Sequence, residues 1–177
     1  DVEEIRDGML AIDGTIDYRM GGTMQSGFGT DRENSNDRLS IDPASSSRRM
    51  VYLPLRRANL PVLLNLFDFG DAVTSQGKRA NTNVAPQALF MMNSEFVATR
   101  ARNLATELLG ETDWSDSERM KHVFIRTLTR IPSADEVDQG LTYVSQVRKD
   151  FDDVPELDAW ESFCRILLAS NSYIYID

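Results

Sequence analysis

Of the residues that most often bind soft metals, the 177-residue chain has only one cysteine and one histidine. Cys164 therefore has no intramolecular disulfide partner, and zinc sites assembled from Cys and His are excluded by number. A lone thiol does not separate cytoplasm from periplasm, because many exported proteins also lack disulfides. Long apolar runs are missing too. Nothing approaches the roughly 18 consecutive apolar residues of a membrane span, and no charged-then-apolar leader opens the sequence. Basic charge is scarce: 19 Lys and Arg face 28 Asp and Glu, a net charge of -9. That balance argues against a non-specific nucleic-acid binder, which needs a net basic face to neutralise phosphates.

What is present reads as a helical protein. The length suits one real core and is short for two ordinary domains, so a single helical domain over 1–177 is expected. The opening "DVEEIRDGMLAID" spaces Val2, Ile5, Met9 and Ile12 by three and four, the stripe of an amphipathic helix entered mid-element, as in a mature fragment. From about 21 to 47, Gly, Ser, Asn and Asp dominate, which predicts a long mobile loop. "MVYL" at 50–53 is β-branched and aromatic, and Pro54 confines such a strand to an edge. "NLPVLLNLFDFG" predicts a two- to three-turn helix, capped at Asn59 and stopped at Gly70, lying deep in the core. Thr82 or Asn83 then starts an apolar periodicity that continues to Gly110, predicting one helix of roughly seven turns.

Two Ser-x-x-Glu boxes follow, Ser115 with Glu118 and Ser133 with Glu136, each placed to satisfy orphan amides at a helix start. The "RIPS" link between these helices is short enough to impose an antiparallel hairpin. Pro155 opens a last helix with Leu157, Trp160, Cys164, Leu167 and Leu168 on its buried face, and the tail "YIYID" alternates like a strand. The resulting expectation is an all-α domain of five or six helices with a minor two-stranded β-element that pairs the segment near 50–53 with the C-terminal tail.

Candidate sites are few. "SQGKRANTNVAPQALFMMNS" has the look of a phosphate loop, but six residues separate Gly70 from Gly77, Arg79 stands where a hydroxyl must reach magnesium, and no strand precedes the glycines. Arg48, Arg49, Arg56 and Arg57 crowd ten residues of an acidic chain; with Lys78 and Arg79 they form the candidate anion-binding set. The competing reading is internal pairing of these cations with the acidic C-terminal helices, since residues 1–103 hold 12 basic and 13 acidic side chains and residues 104–177 hold 7 and 15. His122 falls roughly 160° from the apolar face of its helix and is expected to point to solvent. Cys164, between Trp160 and Leu168, reads as a buried, inert thiol. "DRENSND" spaces Asp31, Glu33, Ser35 and Asp37 like calcium ligands but lacks the turn glycine and a closing glutamate, and the 28 acids single out no catalytic pair. No catalytic or metal-ligating residue is assigned.

Taken in order, "YLPLRRANLPVLLNLFDF", "NTNVAPQALFMMNSEFV", "LTRIPSADE" and "LLASNSYIYID", with "EEIRDGMLAIDGTIDYRMGG" at the start, resemble a planctomycete-specific C-terminal domain of unknown function. Proteins carrying that domain are large and exported, many with a cytochrome c-like module. The resemblance implies a periplasmic or otherwise exported setting and a C-terminal place in a longer polypeptide, and it supplies no catalytic residues. Haem c attachment requires Cys-x-x-Cys-His, absent here, so any haem belongs to an upstream module. Three functions are carried forward: a non-catalytic interaction or assembly domain contacting the preceding domains of its parent; a binding module for anionic ligands such as sulfated or uronic-acid glycans; and part of a hydrolase completed by upstream domains.

Overall fold

The computed structural model describes residues 1–20, 43–53, 55, 60–70, 77, 85–150 and 154–175. Within them the protein is mostly helical, and the only β-pairing is one isolated parallel bridge between Asp17 and Arg48. The helices are α1 (Val2–Ile12), α2 (Val62–Leu66), α3 (Ala85–Asn93), α4 (Glu95–Gly110), α5 (Asp116–Leu128), α6 (Ala134–Asp150), α7 (Glu156–Leu168) and α8 (Asn171–Ile174). The chain divides into two compact units, Asp1–Gln87 and Ala88–Asp177, and the division falls inside α3.

In the first unit, α1 begins with a capping box between Asp1 and Glu4 and buries Val2, Met9, Leu10 and Ile12. Its apolar stripe is as read, except that Ile5 is only half-buried and Arg6 is buried. The helix stops at Asp13, whose carboxylate accepts from the Thr15 amide at 3.1 Å, and Gly14 takes the left-handed φ of 73° that a side chain resists. The helix expected over 59–70 shrinks to α2, because Asp68 adopts φ 53° and breaks it. Leu63 and Leu64 of α2 are buried while Val62 is 68% exposed. The proposed cap Asn59 lies outside the described residues, as do Thr82 and Asn83.

Among the described residues neither half of the expected β-element forms a strand. Met50–Tyr52 is a 3-10 turn in which the Tyr52 and Leu53 amides donate to the carbonyls of Arg49 and Met50, both at 3.0 Å. The tail closes instead as α8: the Tyr173 amide donates to Ser170 O at 3.1 Å and the Tyr175 amide to Asn171 O at 2.9 Å. Backbone donors satisfied within a local turn need no partner strand. The single long helix expected up to Gly110 is two, α3 and α4, because Ser94 adopts extended angles and its hydroxyl accepts from the Val97 amide. That break and the extra turn of α8 account for eight helical segments among the described residues instead of five or six. Of the loop expected at about 21–47, residues 21–42 lie outside the described residues; Pro43–Ser45 is a 3-10 turn.

The second unit is built around α7, which packs against α4, α5, α6 and α8 and most extensively against α4. Its buried face holds Ala159, Trp160, Phe163, Cys164, Leu167 and Leu168, opposite a face of α4 on which Ala101 and Ala105 alternate with Val97, Leu104 and Leu108. Small alanines beside leucines leave room for a tryptophan and a phenylalanine at close helix separation. Phe163 is the common aromatic neighbour: its ring lies 6.3 Å from Phe124 of α5, 6.1 Å from Tyr143 of α6 and 6.5 Å from Trp160, the last edge-on. Arg119 finishes α4 by donating to the carbonyls of Leu108 at 3.2 Å and Glu111 at 3.1 Å.

Both Ser-x-x-Glu boxes form. The Ser115 amide donates to Glu118 at 2.7 Å and the Ser133 amide to Glu136 at 2.8 Å, while each serine hydroxyl accepts from the glutamate amide. Between them Thr129 turns the chain with φ 54°, giving the α5–α6 hairpin. Ion pairs bridge successive packed helices at the surface, Arg126 to Glu107 at 2.7 Å and Arg102 to Glu161 at 2.7 Å. Each is worth little energetically, but the pairs favour one register over its neighbours.

Two outcomes follow from this unit. A Cβ added at Gly140 would meet Met120 Sδ at 2.7 Å and Phe163 Cζ at 3.1 Å. Gly140→Ala is expected to be nearly neutral in urea unfolding, because the end of Met120 can swing away and alanine gains about 1 kcal/mol of helix propensity. Gly140→Leu should cost on the order of 1–3 kcal/mol by forcing α6 outward. Equal midpoints for Gly140→Leu and the native chain would show that α6 does not pack this closely. The second outcome concerns Glu136, whose carboxyl is held at about 2, below its ordinary 4.5, chiefly by the Arg130 guanidinium and then by the Ser133 amide. A depressed folded-state value stabilises above the unfolded value, and that contribution disappears as pH falls from about 4.5 to about 2. The thermal midpoint of Glu136→Gln should therefore lie below that of the native chain at pH 6 and converge on it near pH 2; a gap independent of pH would contradict the assignment.

Candidate functional site

A concavity lies in the first unit, and its construction begins with Arg6. That side chain has 0% exposure, and its guanidinium donates to Asp7 at 2.6 Å, to Arg48 O at 2.8 Å and to Ser46 O. Asp7 in turn accepts from the Met50 amide with both carboxylate oxygens, each at 3.0 Å. One arginine and one aspartate of α1 thereby fix the backbone of residues 46–50. The Asp17 amide adds a bond to Ser47 O at 2.8 Å on the other side of the same segment.

So held, the 3-10 turn presents Met50, Val51 and Leu53, which with Leu55 and Phe69 form the floor of a groove of about 520 Å³. Its rim carries Glu3, Glu4 and Asp7 of α1 and, from the neighbouring segment, Arg49. The volume falls within the range of small-ligand and side-chain pockets. Val51 is 71% exposed, whereas Met50 and Leu53 are buried, so the groove has an open apolar lip over a packed base.

The six candidate anion-binding residues are placed unequally. Arg48 donates to Arg19 O at 2.8 Å, and its guanidinium lies 4.9 Å over the Tyr52 ring. Arg49 reaches toward Asp7 at 4.0 Å with about half of its side chain exposed. These partners belong to the first unit. Arg56, Arg57, Lys78 and Arg79 lie outside the described residues, as do the calcium-like run 31–37 and, apart from its two glycines, the loop 70–79. Nearby, Asp17 chelates Arg19 at 2.7 Å, which holds the carboxyl at about 2.

Neither His122 nor Cys164 lines the groove. His122 is half-buried in the second unit, its ring 4.6 Å from Trp114 and tilted by 47°, so it is partly covered where its helical angle predicts full exposure. The Trp114 that precedes the Ser115 cap folds back over the helix, which the angle within one helix does not encode. Cys164 is fully buried, and burial pushes its thiol well above the ordinary value, the opposite of an activated nucleophile. Among the described residues no group of three or more His, Cys, Asp or Glu is placed to hold a metal ion. No described helix is long and apolar enough to cross a membrane.

Sequence reasoning missed Arg6, Asp7 and Phe163. The first two carry a faint signal, an arginine at 6 beside Ile5 on the edge of an apolar stripe; Phe163 carried a clear one, three residues after Trp160.

The described residues are mostly α-helical, and their first unit carries a groove with an apolar floor and a charged rim. The chain belongs to the PSD1 family, a protein of unknown function (DUF1553), whose model matches residues 1–144. No curated protein and no solved structure matches it.

The match ends at Val144, inside α6, so the matched stretch omits α7, the helix on which the second unit is assembled. A chain ending at residue 144 is expected to lose cooperative thermal unfolding of the second unit by circular dichroism; a sharp transition retained at the native midpoint would contradict the central place of α7. For the groove, Arg6→Ala leaves Asp7 and two carbonyls without their shared donor and should cost on the order of 3 kcal/mol. Amide exchange at Met50 should accelerate with it, and protection equal to the native chain would mean that the clamp does not hold residues 46–50.

Proposed function

We propose that this protein is a non-catalytic interaction or assembly domain, placed at the C-terminal end of an exported, cytochrome c-associated protein and packing against the preceding domains of its parent. The observation that carries the reading is the groove of the first unit: an apolar floor, an exposed valine at its lip, and two rim carboxylates, Glu4 and Asp7, already engaged in capping and in holding backbone. Side chains committed in this way are suited to a fixed docking surface and poorly suited to proton transfer. The resemblance of the sequence to a domain that closes large exported proteins supports the periplasmic setting and the place of the partner. Any haem in such a protein would reside in the upstream module, since this chain has no attachment motif.

The anionic-ligand reading has less support. Of its six cations, Arg48 and Arg49 meet partners within the first unit, and convergence of all six on one concavity is what a sulfated or uronic-acid glycan would require. A hydrolase completed by upstream domains would need at least one carboxylate poised at the groove, whereas Asp7 is tied to Arg6 and the Met50 amide.

Calorimetric titration of the 177-residue chain with the separately produced preceding part of its parent tests the proposal. Val51→Asp, at an exposed position, is expected to weaken that association at least tenfold, about 1.4 kcal/mol, while leaving the circular dichroism spectrum unchanged. Ile131→Asp, equally exposed in the second unit, should leave it unaltered. Association insensitive to Val51→Asp, or salt-sensitive binding of a sulfated glycan in its place, would overturn docking through this groove.

A further inference from the structure

We draw no further inference here: the strongest candidate, the acid-rimmed apolar groove beside the first turns of α1, belongs to the site already described, and nothing in the structure shows what covers it.

Discussion

The buried guanidinium of Arg6 is the constraint on which the first unit rests. A charge removed from water is costly unless its donors are used, and here they are used on a carboxylate and on two backbone carbonyls some forty residues away in sequence. Those contacts do what a β-ladder does elsewhere: they give an irregular segment a single position against a helix. The groove follows, because its floor is the apolar side of that segment and its rim is the face of α1 that carries Asp7. The planar fork of arginine suits the task, since one side chain meets several acceptors at once, which a lysine ammonium cannot match in geometry.

The second unit reaches order by other means. Its termini are specified locally by two capping boxes and the Ser94 cap, and its interior by one ring, Phe163, shared among three helices. The ion pairs between helices lie largely at the surface and each contributes little, so stability comes mainly from burying the α4 and α7 faces while the ion pairs restrict register.

Much of this was legible beforehand. The Ser115 and Ser133 boxes depend only on residues three apart, so chain-local reasoning captured them, and the stripes of α1, α5 and α7 emerged from spacing alone. The errors share one cause. Met50 to Leu53 and Tyr173 to Tyr175 have strand-forming composition, yet local turns satisfy the amides of Tyr52, Leu53, Tyr173, Ile174 and Tyr175, and Asp7 takes that of Met50. The helix expected through Ser94 has unbroken apolar periodicity, but a hydroxyl able to cap competed with continuation. The groove was invisible for the same reason: it depends on Arg6 meeting carbonyls at 46 and 48, and main-chain acceptors leave no trace in a sequence. Arg48 and Arg49, which residue type marks as anion-binding candidates, lie beside Arg19, Tyr52 and Asp7, and Arg49 keeps about half of its side chain exposed.

The most direct test of the Arg6 constraint is nitrogen-15 NMR of the arginine side chains in the intact chain. Hydrogen-bonded burial predicts Arg6 Nη protons that are individually resolved, slow to exchange, and correlated through hydrogen bonds with the carbonyls of Ser46 and Arg48. A single averaged, rapidly exchanging Arg6 signal, like that of a free arginine side chain in water, would contradict it and remove the basis for the groove.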